Sequence, residues 1–266
     1  MFAHRLKERI RNGELVLGSW IALTDPYAVE VMAEAGFDWL VIDMEHCPIG
    51  IESLRDILIA LKGGTAAPIV RVGDNRPDLF KMALDLGAEG VLVPLVETVQ
   101  DARRAVEACR YPPLGSRGFG PVRASQYFTR LEEYVRRANE ELVLILQIET
   151  VAAVRDLEAL MAVPGVDAIF IGPGDLASSM GFIGESDHPE VRRAIEEIMA
   201  RARAVRFPFG ILTRTPEEAA WAAAQGATLV TIGGDLGFLL QGAHQTLART
   251  RALLTHHQEE ERGEQR

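Results

Sequence analysis

Hydrophobic runs and amphipathic segments alternate along most of the chain. Each run is short and almost entirely apolar, which is typical of a parallel strand buried on both faces. Each is followed by a segment whose apolar positions recur with the spacing of one helix face. Eight strands are predicted in this way, at Leu15–Leu23, Trp39–Ile42, Pro68–Val72, Gly90–Leu95, Leu142–Ile148, Ala168–Ile171, Pro208–Leu212 and Ala227–Ile232.

The predicted helices begin after capping residues, and several end at a glycine. Asn75, for example, is predicted to cap a helix from Arg76 to Leu86. The long connection between Tyr111 and Glu141 contains one helical stretch of its own, and a connection of that length is usually functional. The other predicted helices are Phe2–Asn12, Pro26–Ala35, Ile51–Lys62, Glu97–Cys109, Leu131–Asn139, Val151–Val163, His188–Val205, Pro216–Gln225 and Leu236–Leu254.

Eight strands that are each followed by a helix indicate an α/β protein with a (β/α)8 TIM barrel. A doubly wound open sheet is the alternative, but no Gly-rich dinucleotide turn follows the first strand. We therefore predict a barrel with a leading N-terminal helix and a long C-terminal helix. Residues 1–256 are predicted to form one domain, followed by a charged tail at 257–266 that is expected to fray.

The composition narrows the setting in which the protein works. The net charge of −10 argues against a nucleic-acid partner or an anionic membrane surface. No apolar run is long enough to span a bilayer, and the opening residues lack a signal-peptide core. Cys47 and Cys109 show neither disulfide context nor metal-binding spacing. These features predict a cytoplasmic protein.

Two carboxylates follow consecutive predicted strands, at the end of a barrel where enzymes carry their chemistry. Glu149 comes directly after the strand that ends at Ile148, and Asp175 comes shortly after the strand that ends at Ile171. Neighbouring strands lie about 4.8 Å apart, so both carboxylates are expected to reach one cation. Such ligands suit Mg²⁺ or Mn²⁺, ahead of Co²⁺ or Zn²⁺. Each carboxylate also has a structural alternative. Glu149 could be an acid in the first turn of the next helix, and Asp175 could be an N-cap.

Groups that could hold a substrate lie beside these carboxylates in the sequence. Gln147 precedes Glu149 by two residues and therefore shares its face of the strand. The turn Gly172-Pro173-Gly174 leaves backbone N–H groups free to bind a carboxylate next to the ion.

His46 is the candidate general base. It follows Asp43 and Glu45 at the end of the second strand, and neighbouring carboxylates support an imidazolium near neutral pH. A structural histidine packed under Pro48 is the alternative. Cys47 is rejected as a nucleophile because the sequence shows no second group to orient its thiol.

Arg71 and Asp85 are the remaining candidates. Arg71 lies within an apolar strand, where a guanidinium is costly to bury unless it is paired. It either forms an ion pair inside the barrel or stabilises an anion at the rim. Asp85 lies in the last turn of its helix, where the helix dipole disfavours a negative charge. A partnership with a histidine would explain that placement.

Taken together, these residues resemble the HpcH/HpaI class II aldolase family, whose members cleave or form hydroxy-keto acids through pyruvate. The resemblance extends from about Gly18 to Leu239. The motifs that carry it are DMEHCP at Asp43–Pro48, the Arg71 strand, LDLGAEGVLVPLVE at Leu84–Glu97, YPPLGSRGFGP at Tyr111–Pro121, LILQIET at Leu144–Thr150 and FIGPGDL at Phe170–Leu176.

The resemblance implies a divalent-metal-dependent aldolase. Such an enzyme reversibly cleaves a 4-hydroxy-2-oxo acid to pyruvate and an aldehyde through a metal-stabilised enolate. By similarity, Glu149 and Asp175 ligate the metal, and Gln147 holds pyruvate together with the backbone around Gly174 and Asp175.

The resemblance also implies the roles of the remaining candidates. His46 is the base, Asp85 raises its basicity, and Arg71 stabilises the transition state. The family is typically hexameric, with the last helix exchanged between protomers, and the helix Leu236–Leu254 is long and apolar enough for that exchange.

Other activities compete with this interpretation. A Schiff-base aldolase needs a lysine at the barrel rim, and Lys7, Lys62 and Lys81 all lie elsewhere. A citryl- or malyl-CoA lyase needs a basic cluster for the CoA tail, which the sequence does not display. Oxaloacetate decarboxylation could use the same metal site. A non-catalytic keto-acid-binding barrel is the last alternative, although a set of base, arginine and carboxylates argues against it.

Overall fold

The strands of the protein form one closed parallel barrel. A computed structural model describes residues 5–264, with the backbone alone for residues 256–264. Each strand pairs with the next along the chain, and the eighth pairs with the first. The (β/α)8 barrel is therefore confirmed, and the open sheet is excluded. The strands are β1 (Val16–Ile21), β2 (Trp39–Asp43), β3 (Ala67–Arg71), β4 (Gly90–Val93), β5 (Val143–Ile148), β6 (Ala168–Ile171), β7 (Phe209–Thr213) and β8 (Leu229–Gly234).

Helices surround the barrel and close one end of it. They are α1 (Leu6–Arg11), α2 (Pro26–Glu34), α3 (Ile51–Ala60), α4 (Pro77–Asp85), α5 (Val99–Cys109), α6 (Leu131–Glu141), α7 (Val151–Arg155), α8 (Leu157–Met161), α9 (Pro173–Ser179), α10 (Pro189–Ala204), α11 (Pro216–Ala224) and α12 (Asp235–Glu264).

The strands bury both of their faces, as the continuous apolar runs predict. Along β2, Trp39 and Val41 point into the barrel, while Leu40 and Ile42 pack against the surrounding helices. Inside the barrel, the rings of Trp39 and Phe170 meet edge to face with their centroids 5.9 Å apart. Because side chains alternate along a strand, the residue two places beyond an interior apolar residue also points inward.

The helix α1 closes the amino-terminal end of the barrel. Leu6 and Ile10 are buried against the interior. Between them, Lys7 donates from Nζ to the Leu142 carbonyl at 2.8 Å and forms an ion pair with Asp167 at 2.9 Å. Burial lowers the pKa of Lys7 to about 8, although the Asp167 charge opposes that change. The predicted leading helix is confirmed from Leu6 onward, and its first residues lie outside the described part of the chain.

Two local predictions were wrong for physical reasons. Asn75 does not cap α4, which begins after Arg76 without a side-chain cap, and its amide instead donates to the Asp101 carbonyl at 3.0 Å. The single helix predicted over Val151–Val163 breaks at Asp156, whose backbone leaves the helical region, into α7 and α8.

Two further differences concern elements that are new or longer than predicted. The helix α9 was not predicted, because only seven residues follow the Gly172 turn before it ends. The helix α12 does not stop at Leu254 but continues to Glu264, into the tail that was expected to fray. None of the helices among the described residues is long and apolar enough to cross a membrane. Cys47 and Cys109 are both free.

A close approach of strands gives a test of this fold. A Cβ atom added at Gly90 would overlap the Val143 carbonyl and crowd Ile69. We expect Gly90→Ala to lower the free energy of unfolding by about 1–3 kcal/mol, because overpacking displaces neighbouring backbone. Gly237, in α12, has no atom within 4 Å of its added Cβ, so Gly237→Ala serves as the control and should not destabilise the protein. Urea denaturation followed by circular dichroism measures both, and equal stability of the two variants would contradict the packing.

Candidate active site

Polar side chains cover the barrel interior at the carboxyl ends of the strands, an end that we call the mouth. Asp43 and Arg71 continue the interior faces of β2 and β3, and Gln147 does the same on β5. All three are buried. Asp43 and Arg71 are register partners on adjacent strands, which brings their side chains together. The mouth therefore brings together these three polar residues, which the sequence places at the ends of their strands.

Glu149 is held inside the mouth. It follows β5 and precedes Thr150, the N-cap of α7, so it is not a first-turn residue of that helix. Its side chain is buried, and Oε1 accepts the Leu95 N–H at 2.7 Å. Leu95 adopts a left-handed φ of 54°, which is costly for a leucine and aims that N–H at the carboxylate. Burial raises the pKa of Glu149, and the charge of Asp175 adds to the increase.

Gln147 contacts the same carboxylate. Its Nε2 donates to Glu149 Oε2, while its Oε1 is buried and has no hydrogen-bond partner among the described residues. Gly172 leaves the space that this pair occupies, because a Cβ at residue 172 would lie 3.2 Å from Glu149 Oε2. A buried amide oxygen normally accepts a hydrogen bond or binds an ion, so Gln147 Oε1 has an unused acceptor position beside the Glu149 carboxylate.

Asp175 approaches the mouth from the next loop. It lies in the first turn of α9, whose N-cap is Gly172, so the N-cap alternative for Asp175 is wrong. Its side chain is half exposed, and Oδ2 lies 3.9 Å from His46 Nε2. Because Asp175 raises the pKa of Glu149, the two carboxylates are close enough to repel one another.

Arg71 is clamped by several neighbours. Asp43 accepts from Nε at 2.9 Å and from Nη2 at 2.7 Å, which is a bidentate ion pair. Nη1 lies 3.1 Å from Glu45 Oε2, and the centroid of the Trp20 ring lies 4.4 Å from the guanidinium carbon. The Trp20 indole is itself fixed by a 2.9 Å hydrogen bond to Thr231 Oγ1. Arg71 therefore forms an ion pair inside the barrel, which is one of its two predicted roles, and it does so at the mouth.

His46 is more exposed than the other side chains of the mouth described so far. Its Nε2 lies 3.8 Å from Glu45 Oε2, about as far as from Asp175. Its backbone N–H donates to Asp43 Oδ1 at 3.2 Å, so one carboxylate positions both His46 and Arg71. Cys47 donates from Sγ to Asp43 at 3.3 Å, and burial raises the pKa of its thiol to about 11. Such a thiol is a poor nucleophile, in agreement with its rejection from the sequence.

Glu45 is a member of the site that the sequence analysis did not assign. Burial raises the pKa of its carboxyl group to about 7, and the charges of Glu149, Asp175 and Asp43 add to the rise while Arg71 opposes it. Its position between an acid and a histidine in the DMEH motif was the available signal. Four carboxyl groups thus surround a single guanidinium.

Asp85 does not meet His46 within one chain. It ends α4, and its Oδ1 accepts from Arg117 Nη2 at 2.6 Å. Arg117 is buried and also donates to the Tyr134 hydroxyl at 3.0 Å. Among the described residues, no hydrogen bond or ion pair joins Asp85 to His46. Within one chain Arg117 therefore supplies the counter-charge that the helix end lacks, and the predicted partnership of Asp85 with His46 stays a prediction.

The donor set at the mouth fits a hard divalent cation. Glu149 and Asp175 present carboxylate oxygens, and the buried amide oxygen of Gln147 lies nearby. The two carboxylates repel one another, so a bound cation would be stabilised between them. Within the described part of the chain, no group of three or more His, Cys, Asp or Glu side chains has the arrangement of a metal cage. A cation held by two carboxylates keeps coordination positions for water and substrate, as Mg²⁺ typically does.

The pKa of Glu45 gives a test on the metal-free protein. A carboxyl group with a pKa near 7 in the folded chain and 4.5 as its ordinary value favours folding when protonated. This contribution is complete below pH 4.5 and is lost as the pH rises through 7. Between these limits, the free energy of unfolding of the EDTA-treated protein should fall relative to that of Glu45→Gln by on the order of 2 kcal/mol. Urea denaturation at several pH values measures the difference, and parallel pH profiles would refute it.

Comparisons with known proteins agree with this geometry. The profile of the family described as HpcH/HpaI aldolase/citrate lyase matches residues 17–242. A 5-keto-4-deoxy-D-glucarate aldolase from Salmonella arizonae is 41% identical over 94% of this chain and 97% of its own. A 2-dehydro-3,6-dideoxy-6-sulfogluconate aldolase from Pseudomonas putida is 44% identical over 87% of this chain and 91% of its own.

A solved structure shares the whole architecture. The HpcH/HpaI aldolase/citrate lyase family protein from Burkholderia cenocepacia superposes with a TM-score of 0.90 at 36% identity, covering 94% of this chain and 100% of that one. The agreement in profile, sequence and fold extends over nearly the full length of both partners. The chain therefore belongs to the HpcH/HpaI aldolase/citrate lyase family.

Proposed function

We propose that the protein is a divalent-metal-dependent aldolase that reversibly cleaves a 4-hydroxy-2-oxo acid to pyruvate and an aldehyde. The observation that carries this proposal is the meeting of Glu149, Asp175, Arg71 and His46 at one barrel mouth. The aldolase names of the relatives from Salmonella arizonae and Pseudomonas putida support the reaction class.

The metal would be held by Glu149 and Asp175, and Mg²⁺ or Mn²⁺ is the best match to two carboxylates. When bound, the cation supplies a Lewis acid that withdraws electron density from the keto oxygen of the substrate. Gln147 supports the same assignment, because its unpartnered Oε1 and its Nε2 lie against Glu149. We assign to Gln147, with the backbone of Gly174 and Asp175, the binding of the pyruvyl half.

The chain's own groups would carry the proton and the charge. His46 is exposed at the mouth, where its Nε2 can take the hydroxyl proton as the carbon–carbon bond breaks. Arg71 is fixed by Asp43 and Trp20, so its guanidinium would hold a positive charge beside the developing oxyanion. These two residues therefore act on opposite halves of the substrate.

An assembly of several copies is part of this proposal. Asp85 is bound by Arg117 within one chain, so it would raise the basicity of His46 only from a neighbouring copy. The α12 helix supports an assembly, because Leu239 and Leu240 are 66% and 59% exposed on it. We propose the hexamer with an exchanged last helix that the family resemblance implies, and a cytoplasmic location. Residues 1–256 would form its single barrel domain.

Metal removal tests the reaction class directly. We expect EDTA to abolish pyruvate-forming cleavage and added Mg²⁺ or Mn²⁺ to restore it, because the Lewis acid is lost and regained. Borohydride with pyruvate should leave activity and protein mass unchanged, since no rim lysine is available for a Schiff base. Coupled assay with lactate dehydrogenase and mass spectrometry provide the readouts. Inactivation by borohydride together with resistance to EDTA would overturn the proposal.

Glu149→Gln tests the metal ligand separately from the fold. The amide retains the shape of the side chain but removes the charge, so Mn²⁺ binding and kcat/KM should each fall about 100-fold or more. The free energy of unfolding of the metal-free protein should not fall, because a buried, repelled carboxylate is removed. Calorimetry with Mn²⁺ and urea denaturation give the two measurements. Glu52→Gln, at the exposed start of α3, is the control and should behave as wild type. Unchanged Mn²⁺ affinity in Glu149→Gln would remove Glu149 from the ligand set.

A further inference from the structure

A cavity of about 340 Å³ lies beside the mouth, between the ends of β6 and β7. Gly174, from the loop assigned to the pyruvyl half, forms part of its wall. Thr213 and Arg214, at the end of β7, form the opposite part. The cavity therefore shares Gly174 with the proposed pyruvyl site, and an aldehyde half that extends past this loop would reach it.

Part of the cavity wall is apolar, and contacts of Arg192 hold that part in place. Ile195 and Trp221 come from α10 and α11. The Arg192 guanidinium carbon lies 3.4 Å from the centroid of the Trp221 ring, and Arg192 Nε donates to Glu196 at 3.0 Å. Arg192 is thereby used to hold the wall, and its charge is already met by a carboxylate outside the cavity.

Arg214 presents a cation at the rim of the cavity. Its Nη2 lies 2.5 Å from Asp187 Oδ1 and 3.2 Å from Glu218 Oε1. Glu218 belongs to the local structure, because it accepts the Arg214 backbone N–H at 2.7 Å and donates its own N–H to Thr215. Asp187 has no such role in the hydrogen bonds of the described residues, and its side chain is 77% exposed.

The Arg214–Asp187 pair is the kind of contact that a ligand can replace. Ion pairs between exposed side chains contribute only about 0–1 kcal/mol, because water and salt screen both charges. A substrate anion delivered by binding of its pyruvyl half would compete with Asp187 at high effective concentration. Glu218 would stay in place and keep the guanidinium directed toward the cavity.

On the basis of the aldolase function proposed above, we propose that Arg214 is a specificity-determining residue that binds a terminal anionic group on the aldehyde half of the substrate. Carboxylate, sulfonate and phosphate share the required chemistry, a compact anion that accepts hydrogen bonds from a guanidinium. The carbon chain of the aldehyde lies along the apolar wall formed by Ile195 and Trp221. Asp187 occupies the anion position when no substrate is bound.

Two aldehydes of equal length separate charge recognition from catalysis. With pyruvate as donor, Arg214→Gln should raise the KM for 4-oxobutanoate at least tenfold and leave the KM for butanal within twofold of wild type. Its kcat should change little, because Arg214 does not touch the reacting atoms. Arg214→Lys should recover part of the loss. Glyceraldehyde 3-phosphate compared with glyceraldehyde shows whether phosphate is accepted as well as carboxylate.

Asp187→Asn gives a change of opposite sign. Removing the competing carboxylate should lower the KM for 4-oxobutanoate severalfold without affecting butanal. Arg206→Gln, an exposed arginine ahead of β7 at the other end of the barrel, is the control and should change neither value.

The outcomes distinguish this inference from the proposed function. Equal effects of Arg214→Gln on both aldehydes, or no effect on either, would overturn the role of Arg214 and leave an EDTA-sensitive aldolase intact. A rise of KM for 4-oxobutanoate in Asp187→Asn would also contradict it. Absence of any pyruvate-dependent addition in the wild-type enzyme would refute the aldolase function itself.

Discussion

The mouth of this barrel confines four carboxyl groups around one guanidinium. Glu45, Glu149 and Asp175 repel one another, and burial raises the pKa of Glu45 to about 7. Arg71 is already engaged by Asp43, so its charge offsets only part of that repulsion. The fold thus holds a region that is short of positive charge. That shortage is the physical ground for proposing a divalent cation at the mouth.

The rest of the structure keeps these groups from moving apart. The closed barrel leaves the strand ends no freedom to separate, and packing of rings such as Trp39 on Phe170 fixes the interior beneath them. Leu95 has a left-handed backbone conformation that is strained for a leucine, and its N–H donates a hydrogen bond to Glu149. At the opposite end α1 covers the barrel, with Leu6 and Ile10 buried against the interior. Stability and chemistry are thus divided between the two ends.

The sequence predicted which residues lie at the strand ends, but it did not predict most of their side-chain partners. The strand ends were visible as the ends of apolar runs, which predicted Gln147 and Glu149 correctly as neighbours on one face. An ion pair of Arg71 was one of the alternatives, but its partner Asp43 was not named. That partner depends on the register of β2 against β3, and register is a property of two segments. The helix-end argument asks for a cation near Asp85 without naming it. Within one chain the long connection supplies Arg117, and the partnership of Asp85 with His46 stays a prediction.

Local pattern by itself determined the class of the fold, the eight strands and the chemical types gathered at their ends. Continuous apolar runs predict strands buried on both faces, and apolar positions at helical spacing predict the helices between them. Both patterns are local, so they can be recognised without knowing any distant contact. Only the tertiary structure decided which charge meets which. Ring closure sets the order and register of the strands, and the loops after them place Asp175 and Arg214 in space. Those distances arise from contacts between residues far apart in sequence, which no periodicity records.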